Sequence, residues 1–485
     1  MESDRIDYRA TFNGKLGLDA YYEVWNEPDN DFLGTNEEYL KLYYHSAVGV
    51  KKADKSAKIG GPGVSDYSGT KTAGDKLRTE ILQPPMMFEW LLEYTSRTPV
   101  PELGLKRVPV DFISWHSYYR NPGAVYKVIV PYLRKLLANK GYPRTTPLLI
   151  TEWNIASAPP YPEGDLNATD VGAAFAASTL ISMHEAGVDG QVFQLFVDPG
   201  TKGYSGGTFT TKGLPRANYN TFKLFSKLKG RQIDSGSSDE WVKSVAYTDG
   251  QRVYLLVSVM LPTKKMLRKE VSLRRRILNE DLLRSAPKTV TRRDIAAYMK
   301  KGKALPEPLH SNLGAVLKSE KSRLNDYRQK SMAWKNGIRL NINLRGLQGR
   351  PGKITHYKID AKHSNGSADI QKAVEQLVRK NRATMKNATV RLDKLGVREQ
   401  GKKAFFNEIK SSGNIRRILD RLPKQKRDKV RDVYEKMAAE ISNNAQGVMN
   451  RESARLYKEE LSWPSSGKLA LDSKPYSVQL FVFEK

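Results

Sequence analysis

Tyr21-Tyr22-Glu23-Val24-Trp25-Asn26-Glu27-Pro28 is the stretch whose reading decides the fold. Residues of strand-forming type run into Asn26-Glu27-Pro28, and the chain then turns into polar Asp29, Asn30 and Asp31. A buried parallel strand that delivers a carboxylate to its C-terminal end looks like this. In a (β/α)8 barrel that end carries the catalytic groups. A second stretch has the same build: apolar residues 147–150 deliver Thr151-Glu152-Trp153-Asn154.

Two strand-end glutamates, each close to an Asn and a Trp, fit the cleavage of a glycosidic bond with retention. One carboxyl group must protonate the leaving oxygen while a second attacks the anomeric carbon, the two lying roughly 5–5.5 Å apart. Their environments must differ, so that one is protonated while the other is ionised. Asn26 and Asn154 offer amides to sugar hydroxyls, and Trp25 and Trp153 offer a ring face or an indole donor. Either glutamate alone is equally well read as an ordinary carboxylate facing water. The two together, in this order and with these neighbours, favour the chemical reading.

Between and after the motifs, helix and strand patterns alternate. Residues 37–53, 86–95, 124–140, 169–186 and 219–229 have helical periodicity, and 21–26, 58–61, 111–116, 147–152 and 191–196 read as strands. The fold class expected is α/β, a (β/α)8 TIM-barrel type that is partial. Trp25-Asn26-Glu27-Pro28 and Thr151-Glu152-Trp153-Asn154 resemble the acid/base and nucleophile motifs of clan A glycoside hydrolases. Lys58-Ile59-Gly60-Gly61-Pro62-Gly63 and Asp111-Phe112-Ile113-Ser114-Trp115-His116-Ser117-Tyr118 resemble the fifth and sixth barrel strands of glycoside hydrolase family 39. That group contains β-xylosidases, α-L-iduronidases and some bacterial exopolysaccharide glycosidases.

The resemblance implies that Glu27 is the general acid/base and Glu152 the nucleophile, that Asn26 holds a sugar hydroxyl, and that His116 and Tyr118 line the site. It also makes the five strands the fourth to eighth of the barrel. Three preceding βα units would need on the order of 90 residues. The expectation is a lost or misplaced N-terminal segment, with completion by a partner chain and a degenerate, non-catalytic descendant as alternatives. Phe193-Gln194-Leu195-Phe196 lacks the Trp usual near the last strand of the clan, which puts the sugar-stacking floor in question.

Beyond the barrel, residues 241–247 and 252–260 alternate around Asp249-Gly250, a hairpin signal. Residues 339–344, 354–359, 469–471 and 476–484 continue in that style. With His356-Tyr357-Lys358-Ile359-Asp360, His363-Ser364-Asn365 and Pro475-Tyr476-Ser477-Val478-Gln479-Leu480, they resemble the β-sandwich that accompanies the family barrel. Two Lys/Arg-rich helical stretches interrupt it. The domains expected are a stub at 1–17, the partial barrel at 18–230, sandwich at 231–261, 336–369 and 461–485, and basic helical insertions at 262–335 and 370–460. His356 and His363 are read as strand-end residues that pin a turn, so no metal site is expected, and no cofactor.

Charge divides the chain. Residues 1–260 hold 29 basic and 29 acidic residues, so the whole surplus of +29 lies in residues 261–485. Such a field suits an anionic partner. The carbohydrate substrate is expected to be anionic on this ground. Nucleic acid is the other polyanion, but the basic runs show no zinc-finger spacing, RNP aromatics or recognition-helix pattern. The competing reading of the whole is a non-catalytic protein that grips an anionic polymer with its basic helices. There is no cysteine, which excludes disulfides and thiolate metal sites. No apolar run is long enough to span a membrane. Residues 1–17 lack the apolar core of a signal peptide, and the resemblance implies an extracellular or periplasmic full-length parent.

Overall fold

The structure is a computed structural model. It describes residues 21–65, 86–118, 125–156, 166–198, 206–211, 213–262, 266–267, 322, 325–344, 351–364, 366–412, 415–420, 422–448, 456–465 and 468–484. Five strands form one parallel sheet in sequence order: β1 (Tyr21–Glu23), β2 (Lys58–Val64), β3 (Phe112–Tyr118), β4 (Leu148–Asn154) and β5 (Gly190–Phe193). Sequential parallel pairing requires a crossover between neighbours. Helices α1 (Pro28–Asp31), α2 (Asn36–Ala53), α3 (Met86–Arg97), α4 (Tyr126–Asn139), α5 (Asp170–Ala186) and α6 (Ala217–Phe225) lie along this part of the chain. The strand and helix periods read from the sequence therefore hold here, with shifted ends.

Two of those shifts have plain causes. The first strand, expected to reach residue 26, stops at Glu23 because Trp25 (φ 70°) and Glu27 (φ 44°) adopt left-handed backbone conformations. The bent segment stays tied to β2, with Val24 N–H donating to Gly60 O and Glu27 N–H to Gly63 O, each at 3.1 Å. The last strand, expected to reach residue 196, ends at Phe193 because the chain beyond it turns to a different partner. Thr208 N–H donates to Leu195 O at 3.0 Å and Phe209 N–H to Phe196 O at 2.9 Å.

The helices start where the sequence provides caps. Thr35 accepts from Glu38 N–H while the Glu38 carboxylate accepts from Thr35 N–H, a closed capping box on α2. α5 begins at Thr169 and ends on Gly187 in the left-handed conformation. Its buried residues include Ala173, Ala174, Phe175, Ala176, Ala177, Ile181 and Met183. A helix apolar on several faces must be covered on several faces. α5 is, because β1–β5 lie on one side and an antiparallel sheet on another. Ser258 Oγ reaches Ala174 O at 3.0 Å and lies 2.9 Å from Ser178 Oγ, an approach that alanine permits.

That second sheet has six antiparallel strands in the order β11-β10-β13-β8-β7-β6: β6 (Arg231–Ile233), β7 (Val242–Thr248), β8 (Arg252–Val259), β10 (Lys353–Ile359), β11 (Tyr457–Leu461) and β13 (Ser477–Glu484). β9 (Ile338–Ile342) and β12 (Leu469–Ser473) pair with each other and cover its far face. Alternation sorts the strands: Leu256, Leu480 and Val482 point to α5, whereas Leu255, Phe481 and Phe483 point to Leu340, Ile342 and Leu469.

Four helices separate β10 from β11: α7 (Gly366–Lys394), α8 (Glu399–Ser412), α9 (Arg416–Leu419) and α10 (Lys424–Val448). They enclose a small core of their own, Leu392, Phe405, Leu419, Val430 and Met437 among it. Two sequence expectations need correction. The helical stretch expected to run to residue 460 ends earlier, since Tyr457–Leu461 is a strand paired with β10. His356 is not at a strand end but in mid-β10, its ring stacked on Phe481 and held between Glu459 and Gln479. His363 does pin a turn, through Asp360 at 2.8 Å. Of the first basic stretch, residues 325–333 are helical, and most of the rest lies outside the described residues. Among the described residues no helix is long and apolar enough to cross a membrane.

Candidate active site

The parallel sheet delivers its polar side chains to one end. β1 gives Glu23, the bend after it gives Glu27, β3 gives His116 and Tyr118, and β4 gives Thr151 and Glu152. His116 is the hub. Its Nδ1 lies 2.8 Å from Glu27 Oε1 and 3.4 Å from Glu152 Oε2, and its Nε2 lies 4.0 Å from Glu23 Oε1. Tyr118 donates its hydroxyl proton to Glu152 Oε1. Thr151 donates to Glu23 Oε2 at 2.7 Å.

The ring of His116 is 2% exposed, and the side chains of Glu23, Glu27 and Glu152 are 21%, 17% and 24% exposed. Burial alone would lower the imidazole pKa. The hydrogen bond to Glu27 and the charges of Glu152, Glu27 and Glu23 outweigh it and push the pKa above its ordinary 6.5.

The bend that presents Glu27 is locked from both sides. Its N–H is held by β2, and its carbonyl accepts from Asn30 N–H at 2.8 Å and Asp31 N–H at 2.7 Å. Left-handed φ at a non-glycine residue costs of order 1–3 kcal/mol and persists only where the surroundings impose it. Asp29 supplies much of that imposition. It is buried, and its carboxylate accepts from Ser65 N–H and Ser65 Oγ, both at 2.8 Å, which ties α1 to the end of β2. Burial, set against those two bonds and supported by the nearby charge of Glu27, raises its pKa from 3.8 to about 6. Glycines make room underneath. A Cβ on Gly60 would lie 2.3 Å from Phe112 O, and one on Gly63 would lie 2.7 Å from the Glu23 carboxyl.

The residues anticipated from sequence divide into two groups. Glu27, His116, Tyr118 and Glu152 converge. Asn26 and Trp25 stand at the rim: Trp25 is 49% exposed with its ring edge-on to Phe32, and the Asn26 amide lies 3.4 Å from Asp31 Oδ2. Trp153 and Asn154 do not face the cleft, which corrects the expectation that they meet a sugar. Trp153 is fully buried, packed against Phe175 and Phe193 with its indole N–H given to Gln191. Asn154 is fully buried and donates its amide to Gln194 O and Gly206 O. Both help to hold β4, β5 and the following loop together.

Sequence reading missed Glu23, Asp29 and Thr151. A signal existed for Glu23, a lone carboxylate between Tyr22 and Val24 in an otherwise apolar strand. Its Thr151 partner lies 128 residues away and gives no local sign.

Glu27, His116 and Glu152 each present a donor atom within 4.8 Å of the other two, a spacing that divalent ligands also show. Here those atoms face one another across hydrogen bonds, and Nδ1 as a ligand would have to lose its proton and its Glu27 partner. The trio is a hydrogen-bonded pair of carboxylates bridged by imidazole.

Residues 18–252 match the family model "Glycosyl hydrolases family 39". Two β-xylosidases are 27% identical to the chain. That of Caldicellulosiruptor saccharolyticus aligns over 265 residues, 49% of this chain and 48% of the relative. That of Geobacillus stearothermophilus aligns over 239 residues, 43% and 41%. The chain thus spans about half the length of the curated relatives it matches. A solved monomeric β-xylosidase from Caulobacter crescentus CB15 shares the fold, with a TM-score of 0.52 at 15% identity, covering 100% of this chain and 73% of that one.

Proposed function

Since residues 18–252 belong to glycosyl hydrolase family 39, we propose that this chain carries the reacting pair of a retaining O-glycosidase, with β-xylosides as the first substrate class to examine. The five parallel strands are then strands four to eight of a (β/α)8 barrel, and the two antiparallel sheets are a β-sandwich elaborated by basic helices. The observation that carries the reading is the proximity of Glu27 and Glu152. Oxygens of the two lie within 4.8 Å of each other, on either side of one imidazole. Retaining enzymes need their carboxyl groups roughly 5–5.5 Å apart, whereas inverting enzymes need roughly 6.5–9.5 Å to admit a water.

In this mechanism Glu152 attacks the anomeric carbon, oriented by the Tyr118 hydroxyl, while Glu27 gives its proton to the departing oxygen. Glu27, then ionised, takes a proton from the water that releases the glycosyl group from Glu152. His116 touches both carboxylates, and a proton on its Nδ1 favours whichever of them is ionised at each stage. No step calls on a cofactor.

The test is hydrolysis of a 4-nitrophenyl glycoside panel led by the β-D-xyloside. Glu152→Gln should abolish turnover without rescue by azide. Glu27→Ala should spare substrates with good leaving groups and yield a glycosyl azide of retained configuration. Wild-type rates in both variants would refute the assignment.

One observation favours an anionic glycan as the bound polymer. A cavity of about 620 Å³ between the β9–β12 pair and the turn at Asp360 is lined by Lys335, Arg339, Lys358, Lys362 and Lys474. Its acids are already engaged: Asp472 by Arg339 at 3.0 Å, and Asp360 by His363 at 2.8 Å and Lys358 at 3.5 Å.

A further inference from the structure

Glu23 sits four residues before Glu27 on a short strand, and the structure has built a place for its carboxylate. One oxygen accepts the Thr151 hydroxyl at 2.7 Å, across from β1 to β4. The carboxyl lies over Gly63, the position where a Cβ would approach it to 2.7 Å, so β2 is bare exactly where the acid needs space. The other oxygen faces His116 Nε2 at 4.0 Å. Every charged group that faces the ring is therefore acidic: Glu23 from β1, Glu27 from the bend after it, and Glu152 from β4, with the Tyr118 hydroxyl of β3 reaching the ring only through Glu152.

The two ring nitrogens have different duties. Nδ1 looks at both reacting carboxylates, whereas among the described residues Nε2 looks at Glu23. Which nitrogen of a histidine keeps its proton is decided by the partner of the other. We propose that Glu23 is a positioning residue that holds the proton on His116 Nε2, fixing the ring so that Nδ1 alone exchanges a hydrogen bond with Glu27 and Glu152. Without that anchor the ring can take the opposite tautomer or rotate, and Nδ1 loses its defined relation to the pair. The raised pKa of His116 accords with three carboxylates around it. A purely mechanical role for Glu23 is a different claim, because glutamine would accept the Thr151 hydroxyl equally well and fill the same space. The inference rests on reading Glu27 and Glu152 as the reacting pair, but its first readout does not.

The experiment is a pH titration of the histidine ring nitrogens by NMR in the full chain, with His116 assigned by its loss in His116→Gln. In the wild type, Nε2 should stay protonated through neutral pH. In Glu23→Gln, removal of an opposite charge at this distance should lower the His116 pKa by on the order of one pH unit. The same variant should lose on the order of tenfold in kcat, with KM little changed and the pH profile displaced toward lower pH. Thr151→Val, which releases Glu23 from β4, should move the titration in the same direction and serves if Glu23→Gln does not fold. A His116 titration unchanged in the folded variant overturns the proposal. If the wild type hydrolyses no glycoside while the titration shifts as expected, the glycosidase reading falls and the anchoring of Nε2 by Glu23 stands.

Discussion

Asp29→Asn should make the protein more stable at neutral pH and leave it unchanged in acid. The carboxyl is buried and accepts two hydrogen bonds from Ser65, yet its pKa is raised from 3.8 to about 6, because burial costs more than those bonds return. The native state therefore holds a proton between pH 4 and 6 that the unfolded chain has released. Stability is greatest below the unfolded value and falls as pH rises through that window. At about 1.4 kcal/mol for each unit of pKa, the difference between 3.8 and about 6 amounts to roughly 3 kcal/mol of penalty above pH 6. Asparagine keeps an oxygen for Ser65 N–H and offers an N–H to Ser65 Oγ, but it cannot ionise. Urea unfolding at several pH values should show the variant equal to wild type near pH 4 and up to about 3 kcal/mol more stable at pH 7.5. A difference that does not vary with pH, or a variant weaker at pH 7.5, would show that the carboxylate is not strained by its burial. Asp29→Ala separates charge from hydrogen bonding, since it leaves two Ser65 donors unpaired at about 1–3 kcal/mol each.

Tyr118→Phe removes the hydroxyl that Glu152 Oε1 accepts and should lower kcat on 4-nitrophenyl glycosides by about tenfold or more, with little change in thermal midpoint. An unaltered kcat would remove Tyr118 from the reacting group. Lys335→Glu with Lys362→Glu should weaken retention on an immobilised uronate or sulfate polysaccharide and flatten its salt dependence, while sparing hydrolysis of small aryl glycosides. Retention equal to that of wild type would take the binding surface away from the cavity beside Asp360.

Much of the fold could be read from the sequence where structure is local. The period of the helices, the strand ends and the Asp249-Gly250 hairpin depend on neighbours in the chain, and each lies within a few residues of its expected place. What failed was set by distant partners. Tyr457–Leu461 is as rich in charge as the helices before it, and only pairing with β10 makes it a strand. Trp153 and Asn154 read as ligands of a sugar because they flank Glu152. Side chains alternate along a strand, so neighbours of an inward carboxylate turn the other way, and both residues are used to bind β4 to β5.

The same alternation explains why the reacting pair was legible and its support was not. Glu27 and Glu152 announce themselves through their immediate neighbours, Asn26-Glu27-Pro28 and Thr151-Glu152-Trp153-Asn154. Their geometry is imposed by groups with no motif of their own: Asp29 on Ser65, Glu23 on Thr151, and His116 between the two glutamates. Each of these links joins two different strands or a strand and the bend after one, across separations of 36, 128, 89 and 36 residues for Asp29–Ser65, Glu23–Thr151, Glu27–His116 and Glu152–His116 in turn. A carboxylate is costly to bury, so these contacts would drift if the sheet did not set their distances. The parallel register does so, pairing His116 directly with Glu152 and Glu23 with Gly60, three residues before the glycine that leaves its carboxyl room. The chemistry follows from two short motifs, but the protonation states it needs follow from the register of the sheet.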